Sequence, residues 1–228
     1  MTRFTDRVRS LGGLAIVCHP WVPIPGTKWD FGYDYAGMDA IELWNGPWTL
    51  DDNHCVEHWH SLLVAGQFIP GVGSSDSHGV NQPVGLAQTI VRAPALSAPA
   101  IIAAVKAGHC WLAESSVVGL TFTASTGDRS ASCGDRLAVG PETVVDVVLD
   151  VTGVPGCLAQ IIGPTGPVAG QVSDGNGAVR VTTSVPAGLA PFVRAEVRRL
   201  DGTPVLDPLE GVPGLAMVAL TNPIFLTS

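Results

Sequence analysis

Charge is scarce in this sequence, and basic charge is scarcest. Only 14% of the 228 residues are Asp, Glu, Lys or Arg, against 46% hydrophobic ones. So much apolar surface for so little charge excludes a self-repelling, unfolded chain. Twelve Lys and Arg face twenty Asp and Glu for a formal charge of −8. Beyond Arg194, Arg198 and Arg199 no basic cluster occurs, which argues against a nucleic-acid backbone as partner, because such binding rests on concentrated positive charge. No uninterrupted apolar stretch is long enough to span a bilayer. Met1 to Leu11 is polar and lacks the apolar core of a secretory signal, so a soluble, cytoplasmic chain with no membrane partner is expected. The five cysteines, Cys18, Cys55, Cys110, Cys133 and Cys157, form no CxxC pair and are odd in number. They are expected to be reduced, small core residues rather than a disulfide framework.

Several catalytic signatures are also missing. No GxSxG elbow, phosphate-cradling loop or dinucleotide fingerprint is present, and Gly163-Pro164-Thr165-Gly166 reads as a turn. The only lysines, Lys28 and Lys106, do not fall at strand ends, which disfavours an amidohydrolase-like barrel with a metal-bridging lysine.

What is present is an alternation of short elements. Phe4, Val8 and Leu11 recur at helical spacing before Gly12-Gly13, predicting a helix over 2–11. Leu14 to Cys18 is a short apolar run without alternation, as in a strand buried on both faces of a parallel sheet, and His19-Pro20 ends it. Trp21 to Gly37, rich in Pro, Gly and aromatics, reads as a loop over a surface or pocket. Ala40 to Trp44 is a second strand. Asp51 or Asp52 can cap a helix over 51–65, whose buried face carries Cys55, Trp59, Leu62 and Leu63 and which Gly66 closes. Phe68 to Val72 and Leu86 to Arg92 are further strands, and Ser97 to Ala107 a capped helix with Ile101, Ala104 and Val105 inward. This is the pattern of α/β architecture over residues 1–115. Beyond it Gly, Pro, Thr and Val dominate, and Val144 to Val151, Val179 to Thr183 and Phe192 to Val197 alternate between turn clusters. Residues 116–228 are therefore expected to form an all-β, sandwich-like domain.

In α/β sheets, ligands gather at the carboxyl ends of strands, and the polar residues here fall there: His19 after the first strand, Trp44-Asn45 after the second, Ser74 to His78 after the third. Asp76 and His78 stand two apart among Gly71, Gly73 and Gly79, a setting in which a carboxylate and an imidazole can converge on one cation. An isolated Asp-x-His is more often a turn with a surface histidine; the second strand-end histidine, His19, tips the reading toward metal ligation. His58-Trp59-His60 resembles a metal pair, but residues two apart on a helix point about 200° apart and cannot grip one ion. His54 and His58 share a helix face that nothing places near the strand ends. His109 reads as a helix-terminus residue, Glu114 as structural, and the direction of Glu42 within its strand is open.

Gly12 to Pro20, Ala40 to Gly46 and Gly73 to Gly79, in this order and spacing, resemble successive motifs of the PHP (polymerase and histidinol phosphatase) superfamily. The similarity is greatest to CehA/McbA-type metallohydrolases, whose β-rich tail ends like Ala219-Leu220-Thr221-Asn222-Pro223-Ile224-Phe225. The resemblance implies that residues 1–115 form the carboxyl-terminal part of a distorted (β/α)7 barrel around divalent transition metals, zinc, manganese or iron. It implies His19, Asp76 and His78 as metal ligands and catalytic residues, and Trp44 and Asn45 as substrate-binding residues. The implied activity is metal-dependent hydrolysis of a small-molecule substrate, commonly a phosphoester, by metal-activated water. The superfamily's His-x-His motif and other early ligands have no counterpart in the eighteen residues before His19. The chain thus reads either as a shortened segment, inactive alone, or as a degenerate member, and an opened barrel edge leaves room for a homo-oligomer. The alternative from another class is a non-catalytic binding or scaffolding protein working through its β-rich domain.

Overall fold

The computed structural model describes residues 2–27, 29–200, 205–206 and 213–226. Along the chain run helix α1 (Thr2–Ser10), strands β1 (Ile16–Val17) and β2 (Ala40–Asn45), helix α2 (Leu50–Val64), strands β3 (Gly71–Ser74) and β4 (Gln88–Val91), and helix α3 (Ala98–Lys106). Strands follow thereafter: β5 (Cys110–Ala113), β6 (Gly119–Thr126), β7 (Arg129–Ser132), β8 (Val144–Thr152), β9 (Cys157–Gly163), β10 (Gly166–Val172), β11 (Val179–Pro186) and β12 (Phe192–Arg199). The last are β13 (Val205–Leu206), β14 (Pro213–Gly214), β15 (Met217–Thr221) and β16 (Ile224–Phe225).

The first three strands form a parallel sheet in the order β1-β2-β3. Its centre, β2, is buried almost throughout, as its unbroken apolar run requires. The helix behind it begins where Asp52 takes Thr49 N–H and Asn45 N–H on its two carboxylate oxygens, at 2.8 and 3.0 Å, so the capping carboxylate also fixes the end of β2. The helix buries Cys55, Val56, Trp59 and Leu63.

The expected (β/α)7 barrel segment is not formed. The chain is mostly β, in several sheets, with three helices among the described residues. The pattern strand, helix, strand continues through β4, α3 and β5, but β4 and β5 pair antiparallel with each other and not with the parallel sheet. A buried apolar run states that a strand has two covered faces; it does not state which strand lies beside it. Here β5 pairs on its other side with β15, more than one hundred residues later, in a sheet ordered β10-β9-β12-β15-β5-β4 with β16 alongside β12. Residues from both sides of position 115 therefore share one hydrogen-bonded sheet.

That sheet is covered on both faces. Toward the four-stranded sheet β11-β8-β6-β7 it contributes Ala159, Ile161, Val193, Ala195 and Val197, which meet Phe122, Val145, Val147 and Leu149 in one core. Its opposite face, with Leu112, Phe192, Met217 and Leu220, packs on Ile41, Leu43, Trp44 and Trp59 of the parallel sheet and α2. This explains why β12 and β15 are buried at nearly every position. Arg194 is held in this second interface by Glu196, at 2.6 Å, and lies over the Trp59 ring at 5.7 Å. A charge so enclosed is tolerated because it is paired.

Among the described residues no helix is long and apolar enough to cross a membrane. Of the apolar positions expected to bury α1, Phe4 and Leu11 are open, 64% and 70% exposed, and Val8 is half-buried. Four cysteines are buried and unbridged, as expected, but Cys18 is exposed, a correction to its reading as a core residue.

Candidate functional site

The carboxyl ends of β1, β2 and β3 meet around one carboxylate. Glu42, 6% exposed, accepts the His19 backbone N–H at 2.7 Å and the Asn45 side-chain amide at 3.1 Å on Oε2. Its Oε1 accepts the Ser74 hydroxyl. The three strand ends are thus tied to a single side chain, and Gly46 N–H donates to the Ser74 carbonyl at 2.8 Å as a further link. No basic side chain pairs with Glu42 among the described residues. Glu42 was the residue whose direction the sequence left open, since β2 is buried on both faces and its pattern carries no alternation.

His19 and Asp76 both sit in the left-handed backbone region, at φ 31° and 47°. Non-glycine residues rarely adopt it, and such strain is held only where the surroundings fix it. The His19 backbone is fixed by Glu42, and its ring Nδ1 is buried without a hydrogen-bond partner. A buried imidazole nitrogen with nothing to bond is costly unless something else occupies that position.

Asp76 and His78 stand together. The His78 ring donates from Nδ1 to the Asp76 carbonyl at 2.6 Å, which leaves its Nε2 as the acceptor. The same Nδ1 is 3.6 Å from Asp76 Oδ1, and the His78 backbone N–H donates to Gln82 Oε1. Both side chains are open to solvent, His78 the more so. The Cys18 thiol, exposed as a residue but partly desolvated at its sulfur, is pushed up from its ordinary value first by that desolvation and then by the Glu42 and Asp76 carboxylates. A little deeper, burial pushes Asp52 up to about 8 against the pull of the Thr49 and Asn45 N–H groups. The carboxyls at the strand ends are thus Glu42 and Asp76, neither paired with a Lys or Arg among the described residues, while burial favours the neutral form of Asp52.

The remaining candidates are placed as follows. Trp44 is 1% exposed, gives its indole N–H to the Gly46 carbonyl at 2.9 Å and packs edge-on against Trp48. It lies in the core and not on an open pocket wall. Asn45 is engaged with Glu42 and Asp52. His58 bonds the Tyr33 carbonyl and His60 the Pro164 carbonyl, so the two diverge as helix geometry requires. His109 pairs with Asp135 and Glu114 with Arg199. Lys106 reaches Asp39 at 3.7 Å, while Lys28 lies outside the described residues.

The residues present fit a metal ion only in part. Asp76 Oδ1, His78 Nε2 and the orphaned His19 Nδ1 are suitable donors by type. Among the described residues, however, no group of three His, Cys, Asp or Glu side chains is close enough to hold one ion. No family model, curated protein or solved structure matches the chain.

Proposed function

We propose that the strand-end cluster is the cation-facing part of a metal-dependent hydrolase site, acting on a phosphoester and holding its ion too loosely to turn over efficiently by itself. One observation carries the reading: the buried Glu42 carboxylate ties three strand ends together through the His19 backbone N–H, the Asn45 amide and the Ser74 hydroxyl, with no basic side chain paired to it among the described residues. Acidic groups so arranged favour a cation, because attraction strengthens where water is partly excluded. The sequence resemblance supplies the reaction class. What this chain contributes is orientation: Glu42 holds the backbone of His19, and the Asp76 carbonyl holds the His78 ring so that Nε2 faces outward.

The test is a titration of the metal-free chain with Zn²⁺ and Mn²⁺, followed calorimetrically, with 4-nitrophenyl phosphate hydrolysis as a second readout. Weak saturable binding that Asp76→Ala and His78→Ala abolish is the expected result. Absence of ion binding in a chain with unchanged circular dichroism would refute it. The incomplete gathering of donors favours a second reading, a non-catalytic binding protein whose β sheets do the work, and in that case hydrolysis is absent whatever metal is supplied.

A further inference from the structure

A concavity lies where the edge of the seven-stranded sheet faces β6 and β7, lined by none of the strand-end residues. We propose that it binds a short monocarboxylate, of propionate or butyrate size. The inference does not depend on the strand-end metal reading.

The cavity measures about 140 Å³, room for roughly five water-sized groups at about 30 Å³ each. Its floor is apolar: Phe122 is 1% exposed, and Leu120 and Trp111 pack partly buried against the same core. Cys110 and Cys133 also belong to the lining, and burial chiefly pushes each thiol up to about 12, so neither adds a charge there. Arg92 and His109 stand beside each other in the lining, joined through the Arg92 N–H and the His109 carbonyl at 2.8 Å.

Both side chains are held by one carboxylate. Asp135 accepts Arg92 Nη2 at 2.9 Å and meets His109 Nε2 at 3.0 Å through Oδ1, while its Oδ2 accepts the Ser132 N–H at 2.9 Å. Arg92 Nη2 also reaches the Cys133 carbonyl at 3.2 Å. Asp135 has thus spent its acceptors on aiming these groups. Arg92 keeps Nε and Nη1, and His109 keeps Nδ1, with no partner among the described residues. With Nη2 taken by Asp135 and the Cys133 carbonyl, a free N–H of the guanidinium can still make one charge-assisted bond to a carboxylate, stronger than a bond to a neutral group. Thr121 and Ser132 complete the lining. An anionic head on Arg92 with a tail of two or three carbons against Leu120, Trp111 and Phe122 uses all of these features, whereas an alkylammonium of the same size would set its charge against Arg92.

The experiment is an amide and side-chain NMR titration of the full chain with sodium butyrate, and with n-propylammonium as its cationic counterpart. Saturable shifts at Arg92 Nε–H, the His109 ring and the Trp111 indole are expected with butyrate and not with the ammonium. Arg92→Gln should weaken binding about tenfold or more, the usual scale for a charge-assisted pair. Because Arg92 also steadies Asp135, Leu120→Trp provides a separate check: it fills the cavity and leaves Arg92 in place, and it should abolish the shifts. Butyrate shifts that are absent, that the ammonium reproduces, or that persist unchanged in Leu120→Trp would overturn the proposal.

Discussion

Arg194 Nε donates to His60 Nδ1 at 3.2 Å across the interface between β12 and α2. A guanidinium is never an acceptor, so the imidazole must present a lone pair at Nδ1 and carry its proton on Nε2, which donates to the Pro164 carbonyl at 3.1 Å. Burial and the Arg194 charge hold His60 below its ordinary 6.5, outweighing the Pro164 carbonyl and Glu196. The folded state therefore resists protonation here. The contribution is whole above the unfolded value and is lost as pH falls below about 6.5. Urea unfolding from about pH 8 to about pH 5 should show a steeper loss of stability in the native chain than in His60→Gln, which keeps an acceptor and a donor but does not titrate. Equal slopes would remove His60 from the acid sensitivity.

Glu42 should separate framing from ion binding. Glu42→Ala strands the His19 N–H, the Asn45 amide and the Ser74 hydroxyl, and is expected to cost about 3 kcal/mol in denaturant unfolding. Glu42→Gln retains an oxygen for the two N–H donors, and the Ser74 hydroxyl can turn to accept, so about 1 kcal/mol is expected. If the acidic region draws a cation, Glu42→Gln nonetheless weakens Zn²⁺ binding by about tenfold; unchanged affinity would leave Glu42 a purely structural residue.

Asn222 replaces a strand partner for β3. Its Oδ1 accepts the Gly71 N–H at 2.8 Å and its Nδ2 donates to the Gly71 and Cys110 carbonyls at 3.0 Å each. Asn222→Leu, similar in volume, leaves those buried backbone groups without partners and should cost about 3 kcal/mol or more. Hydrogen exchange at Gly71 gives a local readout, and it should accelerate more than the global change in stability requires.

Gly134 and Gly127 form a matched pair for thermal unfolding. Both have positive φ, 82° and 58°, but a Cβ at Gly134 would stand 2.5 Å from the Ala107 carbonyl oxygen, while one at Gly127 meets nothing within 4 Å. Gly134→Ala should cost about 3 kcal/mol, against about 1 kcal/mol for Gly127→Ala, which suffers the backbone term alone.

The sequence made local elements legible and long-range pairing opaque. Ala40–Asn45, Leu50–Val64 and Ala98–Lys106 lie within a residue or two of where the sequence places them, although the cap of the second helix is Thr49, with Asp52 at the third helical position, and not Asp51 or Asp52 as expected. Val144–Thr152 and Val179–Pro186 follow their period-two alternation. Cys110–Ala113 went unrecognised because four residues carry too little periodicity, and that strand diverts the chain from a barrel into an antiparallel sheet. In the candidate site, strand-end placement singled out His19, Asp76 and His78 as candidates. It could not show that these side chains fail to close into a three-donor group among the described residues, nor that Glu42 points to the strand ends, because both depend on how β1, β2 and β3 are set against one another. A carboxylate in an otherwise apolar strand, followed by Trp44-Asn45, was the available signal.

The three bonds from Asn222 also govern the order in which the molecule can be made. Gly71, at the start of the strand leading to Asp76 and His78, is satisfied by a residue translated about 150 positions later, and Cys110–Ala113 likewise waits for Met217–Thr221. During synthesis the strand-end cluster has no settled floor until nearly this whole sequence has emerged from the ribosome, so chaperone dependence should fall on the nascent chain and not on the finished one.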